Sequence, residues 1–137
     1  MKYFTFDELT HSVTATARGI DNTPPFGVVA NLTALVEDVL DKIRFRWGRP
    51  IRVNSGYRSE ALNTAVRGSK TSQHRTGEAA DISAGMRGEN AQLFALIKEM
   101  RANGEIDFDQ LIDEKGFSWV HISYKRNGGN RGQILKL

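Results

Sequence analysis

Two stretches decide how this chain is read: Ser72-Gln73-His74-Arg75-Thr76-Gly77-Glu78-Ala79-Ala80-Asp81, and further along Trp119-Val120-His121-Ile122-Ser123. They hold two of the chain's three histidines. Glu78 to Ile82 and Ser118 to Tyr124 read as strands, so Asp81 and His121 would be held on rigid elements. His74 precedes Asp81 across a loop, and Gly77 gives the backbone the freedom to turn so that the two side chains converge. Two imidazoles and one carboxylate suit zinc and leave a fourth coordination position open. Taken singly, each residue has an ordinary alternative: a loop histidine is often just solvated, and an aspartate beside an apolar strand often serves a turn. The helical His-Glu-x-x-His pair of many zinc proteases is absent. His11, in Leu9-Thr10-His11-Ser12, has no acidic partner at ligand spacing and reads as a surface residue.

Working outward, Val28 to Trp47 repeats apolar residues at helical spacing, from Val29 and Leu32 through Leu35, Val36, Val39 and Leu40 to Ile43. That spacing makes an amphipathic helix facing a core. Asn22-Thr23-Pro24-Pro25 is a loop signal ahead of it and Gly48-Arg49-Pro50 stops it. Ile51 to Asn54 is a short strand, Ser59 to Ala65 a short helix, and Arg67 to Ser72 a loop. A second long helix is expected from Asn90 to Ala102. Phe108–Asp113 and Ser118–Tyr124 form a hairpin around Lys115-Gly116, and Gln133–Leu137 adds a final strand. Helices packed on one side of a small, mostly antiparallel sheet make an α+β fold. Residues 1–137 are expected to form a single domain, without repeats, low-complexity segments or linkers.

Composition narrows the function classes. The chain has 137 residues, 39% hydrophobic and 26% charged, the balance of a globular protein. With no cysteine it has no disulfide framework, no thiolate zinc site and no cysteine nucleophile. The first residues lack the apolar core of a signal peptide and no stretch is long enough to span a membrane, so the expectation is synthesis in the cytoplasm. The net charge of +3 is an ordinary surface excess, its positive residues spread along the chain. Lys125-Arg126 and Arg131, around Gly128-Gly129, read as a solvated turn. Without an aromatic-interleaved basic patch or a recognition helix, no nucleic-acid partner is expected.

Ser72-x-His74-x-x-Gly77-x-Ala79-x-Asp81 followed by Trp119-Val120-His121 resembles the M15 peptidases, the D-alanyl-D-alanine carboxypeptidase and phage endolysin group, and more narrowly their M15A-type domains. The likeness extends to Phe4-Thr5-Phe6-Asp7-Glu8-Leu9, Asn31-Leu32, Val53-Asn54-Ser55-Gly56-Tyr57-Arg58-Ser59 and Asp109-Gln110-Leu111-Ile112. The resemblance implies a Zn2+ ion held by His74, Asp81 and His121, and a hedgehog/DD-peptidase-like fold. In many relatives an acid stands three residues before the last histidine; here that residue is Ser118, which cannot act as a base. Strand alternation offers Glu114 instead: if the hairpin loop has an even number of residues, Glu114 shares a face with Gln110, Trp119 and His121. An odd loop would substitute Asp113.

Arg58 is the candidate for gripping an oxyanion or a substrate carboxylate, a role the resemblance supports. Ser72 and Gln110 are candidate substrate-binding residues, and Tyr57 and Trp119 are expected to wall the metal. The reading is therefore a monomeric zinc metallopeptidase, with Glu114 and Arg58 catalytic, acting on the peptide part of bacterial peptidoglycan. A phage-type enzyme reaching the wall after holin-dependent release fits the sequence, as does one trimming wall peptides inside the cell. The competing class is a non-catalytic zinc-stabilised wall-binding module, which the loss of the acid at position 118 favours.

Overall fold

The computed structural model describes residues 1–137 and is an α+β arrangement around one five-stranded sheet. Two short helices, α1 (Phe6–Thr10) and α2 (Val13–Arg18), open the chain. A Thr5–Glu8 capping box starts α1, and the Ser12 hydroxyl accepts the Ala15 amide at the start of α2. These caps satisfy amides that would otherwise be orphaned in helices of one to two turns. The expected long helix is present as α3 (Phe26–Leu35), a π-helical turn (Val36–Leu40) and α4 (Asp41–Trp47), ended by Gly48 in the left-handed conformation.

Strands β1 (Arg52–Ser55), β2 (Ala79–Ser83), β3 (Gln110–Glu114), β4 (Trp119–Ser123) and β5 (Gln133–Lys136) lie in the order β1-β2-β4-β3-β5. All neighbours are antiparallel except β3 and β5, which run parallel. Between β1 and β2 lie α5 (Glu60–Ala65) and a 3₁₀ turn (Gln73–Thr76); α6 (Arg87–Ala102) joins β2 to β3. The expected elements are all present. The opening residues form two helices instead of unassigned stretches, and His74 sits in the 3₁₀ turn where a plain loop was expected.

The period-2 alternation of the central strands separates two faces. Ala80 and Ile82 of β2, Leu111 of β3, and Val120 and Ile122 of β4 are fully buried against Leu32, Leu35, Val39, Leu93 and Ile97 of the helices. The opposite face carries Asp81, Ile112, Glu114, Trp119 and His121, all lining one cleft. Burying the apolar set in register is what puts the polar set on the other face: a one-residue slip of β4 would send His121 into the helices.

Candidate metal centre and cleft

Pairing of β2 with β4 sets Asp81 directly opposite His121, and pairing of β4 with β3 sets His121 opposite Ile112. The Asp81 Oδ1 lies 2.9 Å from His121 Nδ1, and its Oδ2 lies 3.3 Å from His74 Nε2. One ligand atom from each of the three residues falls within a 4.8 Å cluster. His74 and Asp81 are buried and His121 is half-buried. The imidazole rings meet edge to face at 5.1 Å.

The 3₁₀ turn presents His74 because both of its ends are fixed. The Ser72 hydroxyl accepts the His74 amide, and Gly77 closes the turn at φ +76°, where a β-carbon would crowd Val28 of α3. On the ring, Nδ1 donates to the Gly56 carbonyl at 2.8 Å. That bond places a hydrogen on Nδ1 and turns Nε2 toward Asp81, so Nε2 is the nitrogen a metal would take. Two imidazoles, one of them presenting Nε2 in this way, and one carboxylate fit a divalent zinc ion. Burial alone would raise the Asp81 carboxyl, but the His121 and His74 rings bonded to it hold it well below the usual carboxylate range.

Gly56 has a second duty. A β-carbon there would overlap the backbone carbonyl of Leu9 at the end of α1, which itself accepts the Tyr57 amide at 2.7 Å. Gly56→Ala is therefore expected to lower stability by about 2–3 kcal/mol and zinc affinity roughly tenfold to a hundredfold. Thermal melting with and without zinc checks both effects, because the shift moves the carbonyl that orients His74.

Arg58 reaches the centre from the loop after β1. Its guanidinium lies 3.5 Å from Asp81 Oδ2 and donates to Ser55 Oγ and Asn63 Oδ1. Burial pulls its pKa down, opposed by the charges of Asp81 and Glu114, and the group stays a cation. Asn22, which as a sequence signal marked only a loop, holds the Arg58 segment in place. Its side chain donates to the Tyr57 and Thr10 carbonyls and accepts the Ser59 amide at 2.7 Å.

The four residues Lys115–Ser118 join β3 to β4, so Glu114 pairs with Trp119 and shares the cleft face with His121. Lys115, Gly116 and Phe117 all have positive φ in this turn. Asp113 holds it, accepting the Phe117 amide at 2.6 Å from a nearly buried position. Asn90 adds bonds from its amide to the Phe117 and Ser118 carbonyls. Asp113 is thereby committed to the turn, and Glu114 is the one acid besides Asp81 that lines the cleft.

The cleft, about 750 Å³, runs along β3 from Glu114 and Trp119 past His121 to Gln110, Lys125 and Arg131. Ser72 and Gln110 both line it, although the Gln110 amide already donates to Gln133. One expectation needs correction and another needs completing. Tyr57 does not wall the centre; it packs into the hydrophobic core, drawn there by the bond of its amide to α1. The segment at Lys125, Arg126 and Arg131 is the exposed turn expected around Gly128-Gly129, but its cations are not free in solvent. Lys125 and Arg131 line the cleft through the fully buried Asp109, and Arg126 donates to Asn31 of α3. His11 is exposed.

Residues 2–123 match the family model described as Peptidase M15. The chain belongs to the peptidase M15 family. An M15 peptidase is a hydrolase of peptide bonds, and the family is one of metallopeptidases. No curated protein matches the chain significantly. No helix is long and apolar enough to cross a membrane.

Proposed function

We infer that this M15 family member is a zinc peptidase, one domain acting as a monomer, that hydrolyses peptide bonds in the stem peptides of bacterial peptidoglycan. It would do so as a D-Ala-D-Ala carboxypeptidase or an endolysin-type endopeptidase. The observation that carries the reading is the convergence of His74, Asp81 and His121 at one point of an open cleft that also holds Glu114 and Arg58. His74, Asp81 and His121 would hold the zinc, which when bound supplies a Lewis acid and a water acidified toward neutral pH. Glu114 takes the proton of the attacking water and returns it to the leaving amine nitrogen as the C–N bond breaks. Arg58, charged and held by Ser55 and Asn63, donates to the carbonyl oxygen as negative charge builds there. Ser72 and Gln110 line the same cleft and would contact the bound peptide.

Incubating the zinc-loaded protein with purified peptidoglycan, beside a chelator-treated control, tests this directly. New peptide termini seen by mass spectrometry, and absent from the control, are expected. They would also identify the bond that is cut. Intact wall together with tightly held zinc would instead mark a non-catalytic, zinc-stabilised wall-binding module.

A further inference from the structure

The end of the cleft farthest from Glu114 is built around a buried charge that the proposed hydrolysis does not use. Asp109 is fully buried immediately before β3. Its Oδ1 accepts the Arg131 backbone amide and Nε, both at 3.0 Å, and its Oδ2 accepts Arg131 Nη2 at 2.8 Å and Gln73 Nε2 at 3.0 Å. Lys125 Nζ stands 3.6 Å from the same carboxylate. The Arg131 hydrogen bonds hold Asp109 well below the usual carboxylate range, so its charge is permanent at neutral pH. The loop that carries the two cations is itself closed: Asn130 accepts the Lys125 amide at 2.8 Å and donates to the Lys125 carbonyl at 3.0 Å.

This arrangement leaves an excess of one positive charge at the cleft end. Arg131 spends Nε–H and one Nη2 hydrogen on Asp109, which leaves the Nη1/Nη2 edge for a ligand on a side chain 53% exposed. A guanidinium fixed along one edge and offering the other is suited to a planar, two-oxygen anion. Asp109 lies three residues before Ile112, the residue opposite His121, a separation of about 10 Å along the extended chain. An extended peptide covers that distance in about three residues.

We propose that Lys125 and Arg131, pinned by buried Asp109, form a carboxylate subsite that selects peptides carrying a carboxylate two to three residues from the cleaved bond. The inference rests on the peptidase reading for the identity of the ligand. The carboxylate is either the free C-terminus of the peptide or an internal acid of the stem, and amidating each in turn separates the two sources. The peptides are titrated calorimetrically into the zinc-free protein, and their hydrolysis by the zinc-loaded protein is followed in parallel.

Amidation of one of the two carboxylates is expected to weaken binding and kcat/KM roughly tenfold to a hundredfold in the unaltered protein. Arg131→Gln should shrink that acid-to-amide ratio to within about threefold, with Arg131→Lys intermediate because it keeps the charge without the planar edge. Lys125→Gln, at a partly exposed side chain that makes no close hydrogen bond to Asp109, serves as the second variant should Arg131→Gln melt early. Equal handling of acids and amides by the unaltered protein, or an unchanged ratio in both glutamine variants, overturns the subsite and leaves Asp109–Arg131 a loop fastening. Acid-selective binding without hydrolysis would overturn the peptidase reading and leave the subsite standing. Hydrolysis indifferent to amidation would do the reverse.

Discussion

Asp81→Asn is expected to abolish zinc binding and hydrolysis together. Asp81 stands between the two imidazoles, 2.9 Å from one and 3.3 Å from the other, so no other group present can take its place as the third donor. Loss of a residue that merely orients a ligand lowers metal affinity by about 10–100-fold, and loss of the ligand itself should exceed that. The reading that does not depend on turnover is thermal. A protein held at a thousand times its dissociation constant in zinc gains about 4 kcal/mol, which raises its melting temperature by several degrees. Zinc should shift the unaltered protein in that way and leave Asp81→Asn where it was. Amide for carboxylate keeps the shape, so a variant that folds without zinc and still shows the full shift would remove Asp81 from the ligand set.

Glu114→Gln is expected to separate the two functions that Asp81→Asn removes at once. Its carboxylate lies on the cleft face two positions from Ile112, outside the cluster of donor atoms, so zinc affinity should stay within about threefold. Turnover should fall roughly 10²–10⁴-fold, the usual contribution of a positioned general base. Single-turnover hydrolysis of a wall peptide beside a zinc titration measures both. Asp113→Asn is the internal control: its carboxylate accepts the Phe117 amide that shapes the turn, so its effect should fall on stability. Full turnover in Glu114→Gln would remove it as the base, and a larger turnover loss in Asp113→Asn would move the role one residue along the strand.

The choice between these two acids shows how the site is encoded. Alternation along β3 and β4 is local, so the sequence restricts Glu114 to one of two faces, and the length of the turn decides which. Lys115 to Ser118 could be counted in the sequence, but their function as a four-residue connection depends on Asn90, more than twenty residues earlier, bonding the Phe117 and Ser118 carbonyls. The helix over residues 26–47, with Leu32, Leu35, Val39 and Ile43 on its buried side, was legible for the same local reason, its apolar spacing. Asn22 was not legible. A single asparagine between helices looks like any turn residue until its amide is seen clamping Tyr57 and Ser59.

Asp109 and Arg131 mark the other limit. Both are common surface residue types, separated by 22 positions, and neither periodicity nor composition links them. Only the parallel docking of β5 beside β3 brings the Arg131 loop over the buried carboxylate. By itself, then, the sequence determined the α+β class, the long helix, the hairpin and the three metal-ligand candidates, because each follows from short-range pattern and residue chemistry. The tertiary structure alone decided that Asp81 faces His121, that Gly56 orients the His74 ring, and that two cations belong to the cleft. Those are pairings between distant segments, determined by strand register and close backbone approach, and no local pattern carries them.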